Sequence, residues 1–420
     1  MINKVFFHID VNSAYLSWEA ARRLRSDKKA LDIRKVASVI SGNPDKRSGI
    51  VLAKSEVAKI FGIKTGESIK TAREKCPNIY VIAADFDLYI ESSKKLMQLL
   101  RTYSPNVYQY SIDEAFIDMT GTGRLFGDPV ICADNMRKKV YEELGFTINI
   151  GISENMVLAK MAGDFSKPNK THTLFKNEIE KKLWPLPIED LFFVGRKTSK
   201  KLRNIGITNI GELANMNISV LRKYFNKHGE IIYNHANGLD GYDFLKKGSK
   251  EKSIGNSTTT AFDIEDRKTA KHLILSLAET VCARLRHKDM KAKVVSLEFL
   301  NTDFKRYSMQ KKMEFGTNSI TIIYECACSI FDNLWDGRPI RHIGVSTSKI
   351  FDKQIDQINF LDIISNEKLN QKELKLYSAI DSIRDKYGTE SIQRASFVNG
   401  SFKHMEGGTS KNKKDGLVYL

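Results

Sequence analysis

Apolar and polar positions alternate through residues 4–11, KVFFHIDV, so Val5, Phe7, Ile9 and Val11 share one face of a strand and His8 and Asp10 the other. The period then lengthens to that of a helix in NSAYLSWEAARRLR, where Leu16, Ala20 and Leu24 recur on one side and Asn12 or Ser13 can cap the start. Asp10 is therefore expected where a strand ends and a helix begins, beside helical N–H groups that suit a phosphate. Residues 31–75 form a small basic segment. Alternation of helix and strand resumes with NIYVIAADF, a helix near 87–102, a hairpin around YSIDEAFIDM (110–119), and a helix at about 128–144. That last helix leads into FTINIGISENMVLAKMAGDFSKPN.

From residue 186 the pattern shifts to short helices joined through Gly195 and Gly206, with lysines and arginines near the turns, in LPIEDLFFVGRKTSKKLRNIGITNIGELANM. This segment resembles helix-hairpin-helix modules, in which backbone amides at the hairpin meet a DNA phosphate. Phe193 stands where that motif often carries a glycine. Residues 240–258 are polar, basic and rich in Gly and Ser, a linker by composition. Roughly residues 259–350 alternate helix and strand again and predict a separate α+β domain. Beyond them lie the short apolar peptide QINFLD, the amphipathic KELKLYSAIDSIRDKYG and a polar end.

Length and charge narrow the reading. A chain of 420 residues exceeds one ordinary core, so two to four domains are expected. Lys and Arg outnumber Asp and Glu by 67 to 50, a net charge of +17 that favours a polyanionic partner, nucleic acid ahead of a membrane surface. The five cysteines form no CxxC pair and no Cys/His cluster, which argues against a zinc site and for reduced thiols. The N-terminus shows no signal-peptide apolar region, and no run of apolar residues is long enough to span a membrane. A cytoplasmic monomer is expected.

Charge is most telling where it interrupts apolar strands. Asp113 and Glu114 sit together in the hairpin, and Asp10 ends the first strand. Buried carboxylates are costly unless neutralised, and three of them close together stay ionised cheaply beside divalent cations, for which hard Mg²⁺ with oxygen ligands fits best. Two ions about 4 Å apart could activate a hydroxyl and steady a leaving pyrophosphate.

HIDVNSAY, YSIDEAFIDM, the AKxAxxxxKPN block within VLAKMAGDFSKPN, and the helical hairpin together resemble the Y-family, or translesion, DNA polymerases, in their bacterial branch. The resemblance implies an α+β multidomain right-hand fold. Residues 1–30 and 76–166 would be the palm, 31–75 the small fingers, 167–239 a helical thumb with its helix-hairpin-helix, and 259–350 an α/β little finger after the 240–258 linker. A tail, 351–420, follows. It also implies primer–template DNA and a deoxynucleoside triphosphate as partners, two Mg²⁺ ions as cofactors, and nucleotidyl transfer to a primer 3′-hydroxyl. No segment resembles a proofreading exonuclease, so low fidelity is implied as well.

Carried over position by position, the resemblance makes Asp10, Asp113 and Glu114 the catalytic metal ligands, with the Val11 carbonyl. Tyr15 falls at the steric gate, a ring that leaves no room for a 2′-hydroxyl, with Ala14 beside it at the nucleotide floor. Lys59 and Lys160 match residues that hold the triphosphate. Glu56 departs from the family, standing where a triphosphate-binding tyrosine is common, and Asn12 and Ala14 replace an acid and an aromatic. QINFLD resembles the peptide by which bacterial polymerases bind the sliding clamp, through Gln357, Phe360 and Leu361. Two other classes compete: a non-catalytic DNA-binding factor of the same shape, which lost metal ligands would favour, and another palm enzyme such as a nucleotide cyclase. The second is disfavoured by the helical hairpin and the basic little finger.

Overall fold

The structure, a computed structural model, describes residues 4–42, 49–240, 251–352, 367–398, 400 and 402–405. Two compact units divide the chain, with the boundary near residue 247.

The first unit is built on a five-stranded sheet. Its strands are β1 (Phe6–Val11), β5 (Val107–Gln109), β6 (Glu114–Asp118), β7 (Ile148–Ser153) and β8 (Thr171–Thr173), in the order β5-β6-β1-β7-β8. A smaller sheet is formed by β2 (Ser38–Ser41), β3 (Val51–Lys54) and β4 (Tyr80–Ala83). Seven helices accompany these strands: α1 (Ala14–Ser26), α2 (Glu56–Ile60), α3 (Ile69–Lys75), α4 (Phe86–Leu100), α5 (Gly123–Phe126), α6 (Pro129–Leu144) and α7 (Met156–Asp164). Local chemistry starts most of them. Ser55, Ser68, Asp85, Asp128 and Asn155 each accept a hydrogen bond from an otherwise unpaired N–H in the first turn of α2, α3, α4, α6 and α7.

Phe7, Ile9 and Val11 of β1 meet Ile117 of β6, Ile148 and Ile150 of β7 and the apolar faces of α1, α4 and α6 in one core. The alternation in the sequence predicts a half-buried β1, yet every residue from Phe7 to Val11 is buried. The reason is α7, which covers the other face. It approaches β7 so closely that a Cβ on Gly151 would lie 2.0 Å from the Ala159 carbonyl oxygen, so only glycine fits there.

Two strands pair across the boundaries expected from the sequence. Tyr80–Ala83, within the expected palm segment 76–166, pairs in parallel with β2 of the small sheet. Thr171–Thr173, within the expected thumb segment 167–239, pairs in parallel with β7 of the large sheet. The thumb segment then runs through α8 (Arg196–Asn204), α9 (Ile210–Ala214), α10 (Ile218–Phe225) and α11 (Lys227–Ala236) around its own core of Leu183, Leu202, Ile210, Leu221 and Ile232. Phe193 adopts φ 73°, so the hairpin keeps the left-handed backbone of the missing glycine, its ring packed on Phe192 and His235.

The second unit is a four-stranded antiparallel sheet, β11-β10-β12-β9, covered by helices. Its elements are β9 (Ser253–Ile264), α12 (Arg267–His287), β10 (Met290–Asn301), β11 (Arg306–Thr317), α13 (Ile320–Leu334), β12 (Ile340–Asp352) and α14 (Glu367–Tyr387). Residues 253–258, read as linker, are the first half of β9: Ser253 to Ser257 pair with Ser348 to Gly344 of β12, because a polar edge strand has the composition of a linker. The tail also differs from expectation. Tyr377 of α14 and Phe402 belong to the unit's core, Phe397 and Met405 are buried, and Arg286 of α12 holds Asp381 through both carboxylate oxygens. Gln357, Phe360 and Leu361 lie outside the described residues. Among the described residues no helix is long and apolar enough to cross a membrane.

Candidate active site

The sheet order places β1 between β6 and β7, and its register brings the acids together. Asp10 lies directly across from Glu114, and the Val11 N–H donates to the Asp113 carbonyl at 3.1 Å. Ser111 shapes the turn between β5 and β6. Its hydroxyl donates to Asp113 Oδ1 at 2.6 Å and accepts from the Glu114 N–H at 3.0 Å. Glu114 is thus the first residue of a strand, while Asp113 stays in the turn where strand alternation does not apply.

Buried Asp10 and half-buried Glu114 each have a lysine. Lys167 Nζ is hydrogen-bonded to Asp10 Oδ2 and lies 2.9 Å from Asp164, and Lys160 Nζ donates to Glu114 Oε2 at 2.9 Å. Burial raises the Asp10 carboxyl above its ordinary value, with Lys167 opposing. Burial also acts to raise Glu114, but the His8 ring and the Lys160 ammonium outweigh it and hold that carboxyl at about 2. His8 itself is fully buried, 3.9 Å from Glu114, and burial lowers its pKa. Burial works against the Lys167 charge, yet Asp10 and Asp164 raise its pKa overall. These ammonium groups supply the compensation that buried carboxylates require.

The donor chemistry suits a hard divalent cation: three carboxylates and the Val11 carbonyl, all oxygen. Among the described residues no three acid, His or Cys side chains already converge as a ligand set, since Asp10 and Glu114 are drawn to their lysines.

In front of Asp10 and Asp113 opens a cleft of about 280 Å³ between the two sheets. Tyr15 and Ala14 line it from α1, and Lys54, Glu56, Lys59 and Thr65 from the small-sheet side. The Tyr15 ring is stacked on Tyr89 with centroids 4.6 Å apart and planes 14° from parallel, so it is backed by a fully buried ring. Glu56 lines the cleft without lying unopposed: its carboxylate is 2.5 Å from Lys59 Nζ, one helical turn away.

Lys160, expected among the triphosphate lysines, does not line the cleft. It is buried behind Glu114, 5.5 Å from the Tyr110 ring centroid and 5.2 Å from that of Phe192, and the lysines that line the cleft are Lys54, Lys59 and Lys167. Sequence reasoning missed Lys167 and Lys54. The signal for Lys167 lay in the KPN end of the block already singled out; Lys54, in a strand, carried none.

Known proteins fall into place beside these features. Residues 9–164 match the impB/mucB/samB family, residues 251–360 its C-terminal domain, and residues 189–240 the DNA polymerase-iota thumb domain. DNA polymerase IV of Clostridium acetobutylicum is 41% identical over 394 residues, covering 94% of this chain and 98% of the relative. DNA polymerase IV 2 of Bacillus subtilis is 33% identical over 415 residues, 97% of each chain. A solved Y-family DNA polymerase chimera shares the fold with a TM-score of 0.70 over 83% of this chain and 99% of its own, at 20% identity.

Proposed function

This chain belongs to the impB/mucB/samB family of bacterial Y-family translesion DNA polymerases, and from that membership we propose a low-fidelity, Mg²⁺-dependent nucleotidyl transfer at the cleft of Asp10 and Asp113. The primer 3′-hydroxyl loses its proton to solvent as its oxygen bonds to the α-phosphorus of the incoming deoxynucleotide, the bond from that phosphorus to the bridging oxygen breaks, and pyrophosphate leaves. Asp10, Asp113 and Glu114, with the Val11 carbonyl, would hold two divalent cations, which when bound supply positive charge to activate the hydroxyl and steady the leaving group. Tyr15 would lie beneath the sugar. Lys59, Lys54 and Lys167 would meet the triphosphate, a ligand whose charge demands cations. Lys160 would instead keep Glu114 ionised and oriented. The thumb hairpin and the second unit would grip duplex phosphates.

The observation that carries this reading is the adjacency of Asp10, Asp113 and Glu114 beside a cleft floored by Tyr15 and edged with lysines. Primer extension by purified protein tests it. Extension should require Mg²⁺, and Glu114→Ala should nearly abolish it while primer–template binding persists. Undiminished extension by Glu114→Ala would reject the metal assignment, and loss of DNA binding as well would make the pair structural.

A further inference from the structure

Lys167 sits in an irregular stretch between α7 and β8, and a long, flexible cationic side chain on an untied loop would place its charge poorly. Two buried side-chain amides fasten that stretch. Asn149 of β7 is fully buried and lies directly across from Asp10, on the side opposite Glu114. Its Nδ2 donates to the Gly163 carbonyl at 3.1 Å and to the Ser166 carbonyl at 2.7 Å. Its Oδ1 accepts from the Lys170 N–H at 3.2 Å and from Asn12 Nδ2 at 3.1 Å. Asn12 Oδ1 in turn accepts from the Asn169 N–H at 2.9 Å. Asn149 thereby uses both donors and both acceptor sites, which no carboxylate, hydroxyl or apolar side chain can reproduce.

We propose that Asn149, with Asn12, is the positioning residue for Lys167. The pair ties the backbone at residues 166, 169 and 170 to the strands that carry Asp10 and Asn149, so the ammonium stands at a set distance from Asp10. On nucleotide binding the ammonium exchanges Asp10 for a phosphate oxygen while the backbone ties stay in place. This accounts for Asn12 where the family often has an acid: a carboxylate there could accept from Asn169 but could not donate to Asn149. The inference rests on reading Lys167 as a triphosphate cation.

The test measures deoxynucleotide affinity at equilibrium on a 3′-dideoxy-terminated primer–template, where no chemistry follows, for Asn149→Ala, Lys167→Ala and the double variant. Asn149→Ala and Lys167→Ala should each weaken nucleotide binding about tenfold, the scale of one charge-assisted hydrogen bond. The double variant should bind no more weakly than Lys167→Ala alone, because the first residue acts through the second. A purely structural asparagine would lower the melting temperature and add its loss to that of Lys167→Ala, which would overturn the proposal. So would normal affinity in Asn149→Ala beside a loss in Lys167→Ala. Normal affinity in Lys167→Ala would overturn the triphosphate reading of that lysine and the positioning role with it. Should Asn149→Ala fail to fold, Asn12→Ala removes only the ties to Asn149 and Asn169, and the same non-additivity decides.

Discussion

At the residue scale, the cleft is governed by what stands behind each side chain. Tyr15 has a rigid neighbour in Tyr89, whose ring also meets Trp18 and Phe86 at centroid distances of 5.9 and 5.7 Å. A gate works only if its ring cannot retreat, because discrimination against one hydroxyl depends on denying it both room and a partner. Tyr15→Ala should therefore raise the ratio of ribonucleotide to deoxynucleotide incorporation by roughly tenfold or more, with deoxynucleotide addition retained. Single-nucleotide insertion kinetics with paired substrates measure this, and an unchanged ratio would move the gate to another residue. Ala14 is too small for that role. The departure at Glu56 has a local answer too, an ion pair with Lys59 on the first turn of α2.

At the scale of elements, the cap expected for α1 failed: Ser13 precedes that helix in a left-handed conformation and makes no side-chain cap bond, and Asn12 Oδ1 accepts from the distant Asn169 N–H. Asp85, Asp128 and Asn155 do cap α4, α6 and α7, each within three residues of the bonds it accepts. The fastening of α14 and the residues after it was not legible, since its partners lie on α12. Glu279 of α12 is buried against Arg394, Arg384 and His404, with His404 Nδ1 2.7 Å away. Burial acts to raise its carboxyl, but His404 and Arg394 pull it below the ordinary value of 4.5. A carboxyl depressed in the folded state adds stability that is complete above that ordinary value and is lost as pH falls through the folded one. Thermal melting of the whole chain should show the second unit weakening as pH drops below about 4.5. Glu279→Gln, which strands buried cations, should lower its melting temperature at neutral pH, with the gap closing in acid. A gap independent of pH would show that the ionised carboxylate is not the source.

At the scale of the whole molecule, the tail is part of a domain. Tyr377, Phe397, Phe402 and Met405 are buried, and each such side chain contributes roughly 1.5–3 kcal/mol. Together they approach the stability of an ordinary domain, about 5–15 kcal/mol. Removing residues 367–420 should therefore unfold the second unit, seen as loss of its melting transition, and would be a poor test of clamp binding. Replacing Phe360 and Leu361 with Ala is the cleaner one. If QINFLD docks on a sliding clamp through these two anchors, clamp binding at micromolar concentration should vanish while unaided primer extension stays near normal. Clamp-stimulated synthesis that survives the double substitution would assign the peptide another role.

By itself the sequence determined β1 with the helix after it, the helices α4 and α6, the hairpin that presents Asp113 and Glu114, and the strand end that presents Asp10. These depend on short-range periodicity, caps and turns, which neighbours in the chain decide. The tertiary structure alone decided which lysine meets which acid: Lys167 reaches Asp10 across 157 positions and Lys160 reaches Glu114 across 46. It also decided that β4 joins the small sheet, β8 the large one and the tail the second core. No local pattern encodes such pairings, because the free energy that selects them, burial of charge beside its counter-charge and of apolar surface beside its match, exists only once distant segments meet.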